Sequence, residues 1–501
     1  MPIRQPTREE LRELADELYL TLTDEEVAVF REMAAERIDS YETIRSHDPE
    51  PRTGGPRVRA RSGGRRPTAT ENPHNAWVTR CTIHGEDGGA LSGLSVALKD
   101  NVSVAGVEMT CGSHVVEGHV PNVDATLVTR LLDAGADVVG KTNMDDMGMG
   151  TTGHSAFGPI TNPRDETYLA GGSSGGSAVV VATDEVDLAI GTDQGGSVRI
   201  PAAFCGVVGH KPTYDLVPYT GCVGLEHLID HPGPMACDVE TVARALSVVA
   251  GSDGEDVRGP AEVPVERSDE ALDGDVSEYS IALIEEGFDR PDADPRVTER
   301  VWEAIETLEE LGASIEEVSV PLHADAGEIH SICQSEAIAA AMRSEGVGRG
   351  WQGWYNTAWI ETFGKFRRAQ SDDFPATVKF SLLMGTYAGT KYHSRYYAAG
   401  MNLYLELIET YDALLSECDL LAMPTVVELP PTDEGRDEFE RLDLDTADNA
   451  APFNRTGHPA TSVPAGEVDD LPVGLQLVGS RFEDAVPLNA AYALERERSD
   501  D

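Results

Sequence analysis

Two segments rich in glycine and serine have the residue types needed for acyl transfer. They are residues 171–177 (GGSSGGS) and residues 191–199 (GTDQGGSVR). The apolar stretches 178–182 (AVVVA) and 188–190 (LAI) lie between them. A flexible Gly/Ser linker would not normally alternate with stretches this apolar. The glycines therefore indicate backbone that approaches another group closely or adopts a positive φ.

The second segment could form a small anion-binding site from its own backbone. Successive amides of Gln194, Gly195, Gly196 and Ser197 can converge on one point, and such a site stabilises a developing oxyanion. A serine at the edge of that site is a candidate nucleophile, and it needs a base.

Two residues are candidates for the base. His210 is the nearest of the thirteen histidines, but no local pattern ties it to the serines, and a hydrogen-bonded structural histidine is the simpler interpretation. Lys99 follows three apolar residues, so burial could lower the pKa of its amine and make it a usable base. An ion pair with Asp100 is the alternative for Lys99, and these residues alone do not decide between the two.

The sequence resembles the amidase signature family. The resemblance is carried by residues 171–177, by GTDQGGSVRIPAAFCGVVGHKPT at 191–213, by LKDN around Lys99, and by the C-terminal GHPATSVPAG and LPVGLQLVG. It spans roughly residues 73–495, and the two serine motifs together are highly specific. The N-terminal helical part and GVVGHKPTYDLVPYTG are most similar to bacterial enantioselective amidases found with nitrile-degrading enzymes.

The resemblance implies a Ser-cisSer-Lys triad. Ser197 matches the nucleophile, Ser173 matches the bridging serine that follows a cis peptide bond, and Lys99 matches the base. Ser174 is the alternative bridge, but the 24-residue spacing favours Ser173.

The expected site also includes a supporting pair of charged residues and requires no cofactor. We interpret Asp193 and Arg199 as a supporting pair that holds the nucleophile loop. The mechanism needs no metal and no organic cofactor.

The predicted reaction is hydrolysis of a carboxylic acid amide to the carboxylate and ammonia through an acyl-enzyme. One alternative is the glutamine-hydrolysing component of a tRNA-dependent amidotransferase, against which the long helical N-terminus argues. A non-catalytic binding relative is the other. The aromatic cluster of Trp351, Trp354, Tyr355 and Trp359 could line an apolar acyl pocket, or it could be ordinary core packing.

The charge balance restricts the partners. With 39 basic and 88 acidic residues the net charge is −49, which disfavours nucleic acid and anionic membranes. Only six basic residues are lysine, a composition that resembles the proteins of salt-accumulating halophiles. Seven scattered cysteines without a CxxC pair suit a reducing cytoplasm rather than a disulfide scaffold or zinc site. We expect a small-molecule amide as substrate and allow for a homodimer.

The elements that must position these residues alternate between helices and apolar strands. Residues 125–134 and 296–311 are predicted helices that stop at glycine, and each leads into a strand. Further strands are predicted at 281–284 and 475–478. The fold class is therefore α/β, with a mixed β-sheet covered by helices on both faces in the amidase-signature manner.

One motif is rejected. Residues 135–142 (GADVVGKT) fit the phosphate-binding loop pattern, but that loop must open a helix, and here a helix ends and a strand begins. Lys141 is accordingly predicted to be structural.

The N-terminal part is predicted to be a helical extension. Residues 7–46 are predicted helix, with residues 23–26 (TDEE) as a plausible cap before Val27. An Arg/Gly/Pro-rich linker with six arginines between 52 and 66 follows. Those arginines could bind an anion or lie on the acidic body. The expected division is 1–72 for the extension with its linker and 73–501 for the catalytic domain.

Overall fold

The structure is a computed structural model of the chain. It describes residues 3–47, 57–58, 61, 63–258, 263–265, 267–348, 353–433 and 446–500. Two compact units are distinguished, Met1–Pro51 and Arg52–Asp501.

The strands run in chain order as follows: β1 Arg57–Val58, β2 Trp77–Ile83, β3 Ser95–Lys99, β4 Val123–Asp124, β5 Asp137–Thr142, β6 His154–Ser155, β7 Gly158–Pro159, β8 Leu188–Asp193, β9 Val208–Lys211, β10 His231–Ala236, β11 Ser280–Ile284, β12 Ser314–Val318, β13 Leu420–Pro424, β14 Ala460–Val468 and β15 Leu471–Val478. The α-helices are α1 Arg8–Glu17, α2 Asp24–His47, α3 Thr126–Asp133, α4 Gly175–Ala182, α5 Arg199–Cys205, α6 Val239–Val249, α7 Glu285–Phe288, α8 Pro295–Glu310, α9 His323–Arg343, α10 Thr357–Gln370, α11 Ala376–Tyr392, α12 Arg395–Leu415, α13 Pro452–Thr456 and α14 Ala485–Asp500.

The first unit contains α1 and α2. The prediction of helix over 7–46 was wrong in one respect, because the chain leaves the helix after Glu17 and starts a second one at Asp24. Capping explains the second start: the Thr23 hydroxyl accepts from the Glu26 amide at 3.2 Å, and the Glu26 carboxylate accepts from the Thr23 amide at 2.8 Å.

The second unit is built on an 11-stranded mixed sheet with the order β12-β11-β13-β15-β14-β9-β10-β8-β3-β5-β2. Strand β11 is parallel to β12 and β13, and β3 is parallel to β5 and β8. The other pairs are antiparallel. The predicted mixed α/β fold is thereby confirmed.

Helices cover both faces of this sheet, and strand alternation decides what each face receives. In β3, Val96 and Leu98 enter the core that includes α3, α6, α8 and α14. Ala97 enters the opposite core with the buried valines of α4. Since successive side chains of a strand point to opposite faces, Lys99 projects on the α4 side.

Most of the predicted elements of this unit are present. Helices α3 and α8 end before Gly135 and Gly312, whose φ angles of 90° and 110° allow the turn into β5 and β12. Within residues 135–142, strand β5 begins at Asp137, where a phosphate-binding loop would need to lead into a helix, so the rejection of that motif stands. The Lys141 ammonium is buried against Asp100 at 3.1 Å.

The segment predicted as a linker is partly attached to the second unit, in line with the alternative that its arginines lie on the acidic body. Strand β1 pairs with β4, and the Arg61 guanidinium meets the buried Asp124 carboxylate at 2.5 Å. Arg65 and Arg66 pair with Glu71 and Glu117, both at 2.6 Å. These arginines neutralise carboxylates of the same acidic body. The acidic tract 433–448 is predicted from its charge to be a solvated loop or surface helix, and its residues 434–445 lie outside the described residues.

Candidate active site

Lys99 lies at the carboxyl end of β3 and is fully buried. Its Nζ is 2.8 Å from Ser173 Oγ and 3.0 Å from the carbonyl oxygen of Thr192. None of the described carboxylates forms an ion pair with it. The alternative partner, Asp100, is engaged by Lys141 and by the Thr110 amide instead.

The environment of Lys99 favours the neutral amine. Burial lowers the pKa of Lys99 to about 7, against the opposing negative charges of Asp145 and Asp193. A substantial fraction of the amine is therefore unprotonated near neutral pH and can accept a proton from Ser173.

Ser173 lies where the chain enters α4. The peptide bond between Gly172 and Ser173 is cis. The neighbouring Ser174, weighed above as the alternative bridge, bonds the Thr192 carbonyl at 3.2 Å and makes no hydrogen bond to Lys99. The contacts of Lys99 thus single out Ser173.

Ser197 is held beside these residues by the backbone. The Ser174 amide donates to the Ser197 carbonyl at 3.1 Å, which joins the two Gly/Ser segments. The Ser197 hydroxyl forms no hydrogen bond with any described residue, so the predicted link from Ser197 Oγ to Ser173 Oγ is not made in this structure. Ser197 lines a cavity instead, where a substrate carbonyl can reach it.

Asp193 and Arg199 clamp the loop that carries Ser197. The Arg199 guanidinium meets both carboxylate oxygens, at 2.9 and 3.0 Å, and both side chains are fully buried. Burial would raise the pKa of Asp193, but the charge and hydrogen bonds of Arg199 outweigh it and hold that pKa well below its usual range. The supporting pair expected from the sequence is therefore present as a contact.

One of the four proposed oxyanion donors must be corrected. The Gly196 amide donates to Asp193 Oδ1 at 2.7 Å, because Asp193 folds back under the loop. The amides of Gln194, Gly195 and Ser197 make no hydrogen bond to a described residue. These three, and not Gly196, are available to a substrate oxygen.

The cavity at Ser197 has a volume of about 400 Å³. Two helices supply much of its wall, through His330 and Ile338 of α9 and Phe380 of α11. Met149 adds an apolar surface from the segment after β5. This size suits a small molecule.

Two residues of this cavity escaped the sequence analysis. The Asp145 carboxylate lies against the backbone of the first Gly/Ser segment, where a Cβ on Gly172 would come within 2.3 Å of Oδ1. Burial raises the pKa of Asp145 to about 6. His330 is buried on α9, and its helical context offers no signal for a role. The earlier candidate His210 bonds Thr461 and Asp484 and lies outside this cavity.

The predicted aromatic pocket is not at the nucleophile. Trp354 and Trp359 line a second cavity of about 740 Å³, while Tyr355 lines neither cavity and Trp351 lies outside the described residues. The second cavity is close to the first, since its Tyr219 hydroxyl accepts from the Gln194 side chain at 2.9 Å.

Two general searches found nothing in the described part of the chain. It contains no cluster of three or more His, Cys, Asp or Glu arranged for a metal ion. None of its helices is both long and apolar enough to cross a membrane.

Comparison with known proteins gives consistent similarities. A family model described as "Amidase" matches residues 72–488. The chain is 45% identical over 427 residues to a glutamyl-tRNA(Gln) amidotransferase subunit of Haloarcula marismortui, covering 84% of this chain and 99% of that protein. It is 40% identical over 440 residues to "Enantioselective amidase" of Rhodococcus rhodochrous, covering 86% and 84%. The crystal structure of the same amidotransferase component from Thermotoga maritima superposes with a TM-score of 0.68 at 31% identity, covering 85% and 88%.

Proposed function

Since the chain belongs to the amidase signature family and acts on amide C–N bonds, we propose that it hydrolyses uncharged carboxylic acid amides through an acyl-enzyme on Ser197. The contact of Lys99 with Ser173 is the observation that carries the proposal. A buried lysine without a carboxylate partner among the described residues, 2.8 Å from a serine hydroxyl, is poised to remove a proton.

Acylation starts with two proton transfers. The neutral Lys99 amine takes the proton of the Ser173 hydroxyl, which takes the proton of Ser197 as its oxygen attacks the amide carbon. Rotation of the Ser197 side chain from the cavity toward Ser173 closes the missing link, as catalytic hydrogen bonds often tighten only with substrate bound. The amides of Gln194, Gly195 and Ser197 receive the oxyanion.

Collapse of the tetrahedral intermediate breaks the C–N bond. The proton returns from Lys99 through Ser173 to the departing nitrogen, and ammonia leaves. Water then attacks the acyl carbon by the same relay, and release of the carboxylic acid restores the Ser197 hydroxyl. Every proton removed in acylation is returned, so the cycle needs no external acid.

The cavity supports an uncharged acyl group. Free glutamine carries an α-ammonium and an α-carboxylate, and a buried site must offer charged or strongly polar partners to both. Among the described residues that line the cavity there is no lysine or arginine. Its single carboxylate, Asp145, lies beside Gly172.

A second candidate is the glutamine-hydrolysing component of a tRNA-dependent amidotransferase. Sequence identity favours this candidate, at 45% against 40% for the amidase, and it would give the chain a protein partner. The comparisons thus support the amidotransferase and the cavity supports the free-standing amidase. A homodimer and a hetero-oligomer are separable by native mass spectrometry of the protein purified from its own cells.

A substrate panel tests the choice. Acetamide, benzamide, 2-phenylpropionamide, indole-3-acetamide and glutamine would be offered to the purified chain, with ammonia as the readout. We expect hydrolysis of the uncharged amides and negligible glutaminase activity. Hydrolysis of glutamine alone, or activity that appears only with partner proteins, would establish the second candidate instead.

We also propose that the protein works in a salt-rich cytoplasm. A net charge of −49 opposes compaction unless it is screened, and at 1 M salt the Debye length falls to about 3 Å. Activity and melting temperature should therefore fall together when molar KCl is replaced by dilute buffer. Full activity in dilute buffer would contradict this.

The proposed domain division keeps 73–501 as the catalytic domain and 1–72 as the extension. The match of the family model to residues 72–488 supports the boundary. Deletion of residues 1–51, the separate unit, should leave amidase activity intact.

A further inference from the structure

His330 is a buried histidine whose polar atoms are unused. It lies on α9 with 4% of its surface exposed. Neither ring nitrogen has a hydrogen-bond partner of normal geometry among the described residues. Leaving a buried donor and acceptor unpaired is costly, so such a group calls for an explanation.

The position of His330 supplies that explanation. A Cβ built on Gly195 would lie 3.1 Å from His330 Nε2, so the imidazole edge faces the backbone of the nucleophile loop. Gly195 does not have a positive φ, and its lack of a side chain therefore serves space and not backbone conformation. His330 also lines the cavity that Ser197 lines.

The imidazole is neutral in this environment. Burial, reinforced by the charge of Arg455, lowers the pKa of His330 well below its usual value, and the nearby backbone of Gln194 opposes this only weakly. A neutral imidazole cannot serve as an acid, but it offers one N–H donor. That donor lies beside Gly195, whose amide is one of those available to a substrate oxygen.

We propose that His330 is a catalytic residue that donates a hydrogen bond from Nε2 to the carbonyl oxygen of the substrate and to the oxyanion formed from it. This inference rests on the proposed function, since it needs a substrate carbonyl at Ser197. It adds a side-chain donor to the three available backbone donors and explains why an unpaired imidazole is kept beside a glycine.

Substitutions that keep or remove the donor test the proposal. A glutamine side chain places an amide nitrogen near the position of histidine Nε2, whereas leucine has similar bulk and no donor. His330→Leu should reduce kcat by about 10²-fold for an amide and by a similar factor for the ester of the same acid, since both substrates have the carbonyl. His330→Gln should recover most of the rate.

The melting temperature separates a catalytic role of His330 from a structural one. His330→Leu removes two unpaired polar atoms from the interior, so its melting temperature should hold or rise while kcat falls. His323, on the same helix, is the matched control. Both of its nitrogens are bonded, to Tyr411 at 2.7 Å and Asn449 at 3.3 Å, so His323→Leu should lower the melting temperature and leave kcat per active site unchanged.

The possible outcomes separate this inference from the proposed function. A wild-type chain that hydrolyses no amide and takes no fluorophosphonate on Ser197 would refute the proposed function. With an active wild type, an unchanged kcat in His330→Leu would overturn the inference alone. A fall in kcat for the amide with no change for the ester would overturn the assignment of the His330 hydrogen bond to the carbonyl oxygen. Equal falls in kcat for His330→Leu and His330→Gln would overturn it as well.

Discussion

The two walls of the cavity at Ser197 satisfy their polar groups in different ways. We call residues 99, 173–174 and 193–199 the floor; Gln194, Gly195 and Ser197 are its members that line the cavity. The cavity-facing residues of α9 and α11 are called the roof. In the floor, the Arg199 guanidinium makes several hydrogen bonds, all at 3.0 Å or less. They go to the carboxylate of Asp193, the carbonyl of Ala450 and the side chains of Gln476 and Asn454. In the roof, neither ring nitrogen of His330 has a hydrogen-bond partner of normal geometry in the described part of the chain, and Phe380 is 54% exposed.

This difference indicates that the floor positions the reacting groups and that the roof binds the rest of the substrate. A floor in which the buried side chains of Asp193 and Arg199 are paired holds the nucleophile loop in one arrangement before substrate arrives, and such preorganisation is what oxyanion stabilisation requires. A roof with spare donors and half-exposed apolar side chains gains its missing partners from the substrate. Changes in the floor should therefore affect catalysis for every substrate, and changes in the roof should affect some substrates more than others.

The largest effect should come from removing the nucleophile or its base. Ser197→Ala should reduce kcat by roughly 10⁴-fold or more, and Lys99→Ala by a similar factor, because both act in one relay. The double variant should be no worse than Ser197→Ala, and ammonia release from each amide measures all three. Wild-type turnover in Ser197→Ala would remove the mechanism.

The next largest effect should come from breaking the ion pair between Asp193 and Arg199. Asp193→Asn leaves the buried Arg199 guanidinium without its charge partner and should cost about 3–5 kcal/mol in the free energy of unfolding. The exposed pair of Arg296 with Asp469 is the control, and Asp469→Asn should leave the melting temperature unchanged. Equal effects of the two substitutions on urea unfolding would show that the clamp does not stabilise the loop.

The floor could be predicted from the sequence better than the roof, because its residues lie in local motifs. Lys99, Ser173 and Ser197 belong to local motifs, and the structure brings Lys99 to Ser173. Helices α3 and α8 end at predicted glycines because a positive φ at a helix end is a local requirement. The start of α2 could be predicted because residues 23–26 carry a local capping signal, whereas the end of α1 at Glu17 was not predicted.

The roof could not be predicted because its residues meet only through tertiary packing. The alternation of apolar and polar residues along α9 does not show that His330 faces Gly195. Trp354 and Trp359 are close in sequence to a plausible pocket, yet they line another cavity. The Gly196 amide was misassigned for a related reason, since only the fold shows that Asp193 turns back to accept from it.

A smaller effect, whose direction is set by Lys99, concerns the pH dependence of kcat/KM. Because burial sets the pKa of Lys99 at about 7 and only the neutral amine accepts a proton, kcat/KM should rise with pH through about 7. Among the charges that oppose the lowering of this pKa, Asp145 has the largest effect. Asp145→Asn removes that negative charge, so the pKa of Lys99 should fall further and the acid limb should move to lower pH.

A second buried lysine provides the control for this profile. Burial also lowers the pKa of Lys211 to about 7, but the Lys211 ammonium bonds the Pro212 carbonyl and lies outside the cavity. Lys211→Met should therefore keep the acid limb where the wild type has it. An acid limb that disappears in Lys211→Met, or that moves to higher pH in Asp145→Asn, would assign the titration to another group.

The smallest effect should come from the roof and should depend on the substrate. Ile338 of α9 is buried and lines the cavity, so Ile338→Val removes one methylene from the wall that faces the acyl group. A methylene in an apolar pocket is worth about 1–3 kcal/mol in discrimination, so the ratio of kcat/KM for 2-phenylpropionamide over acetamide should rise several-fold. Ile332, exposed on the same helix, is the matched control, and Ile332→Val should leave the ratio unchanged. A uniform loss for both amides would mean that the roof, like the floor, positions the reacting group and not the acyl chain.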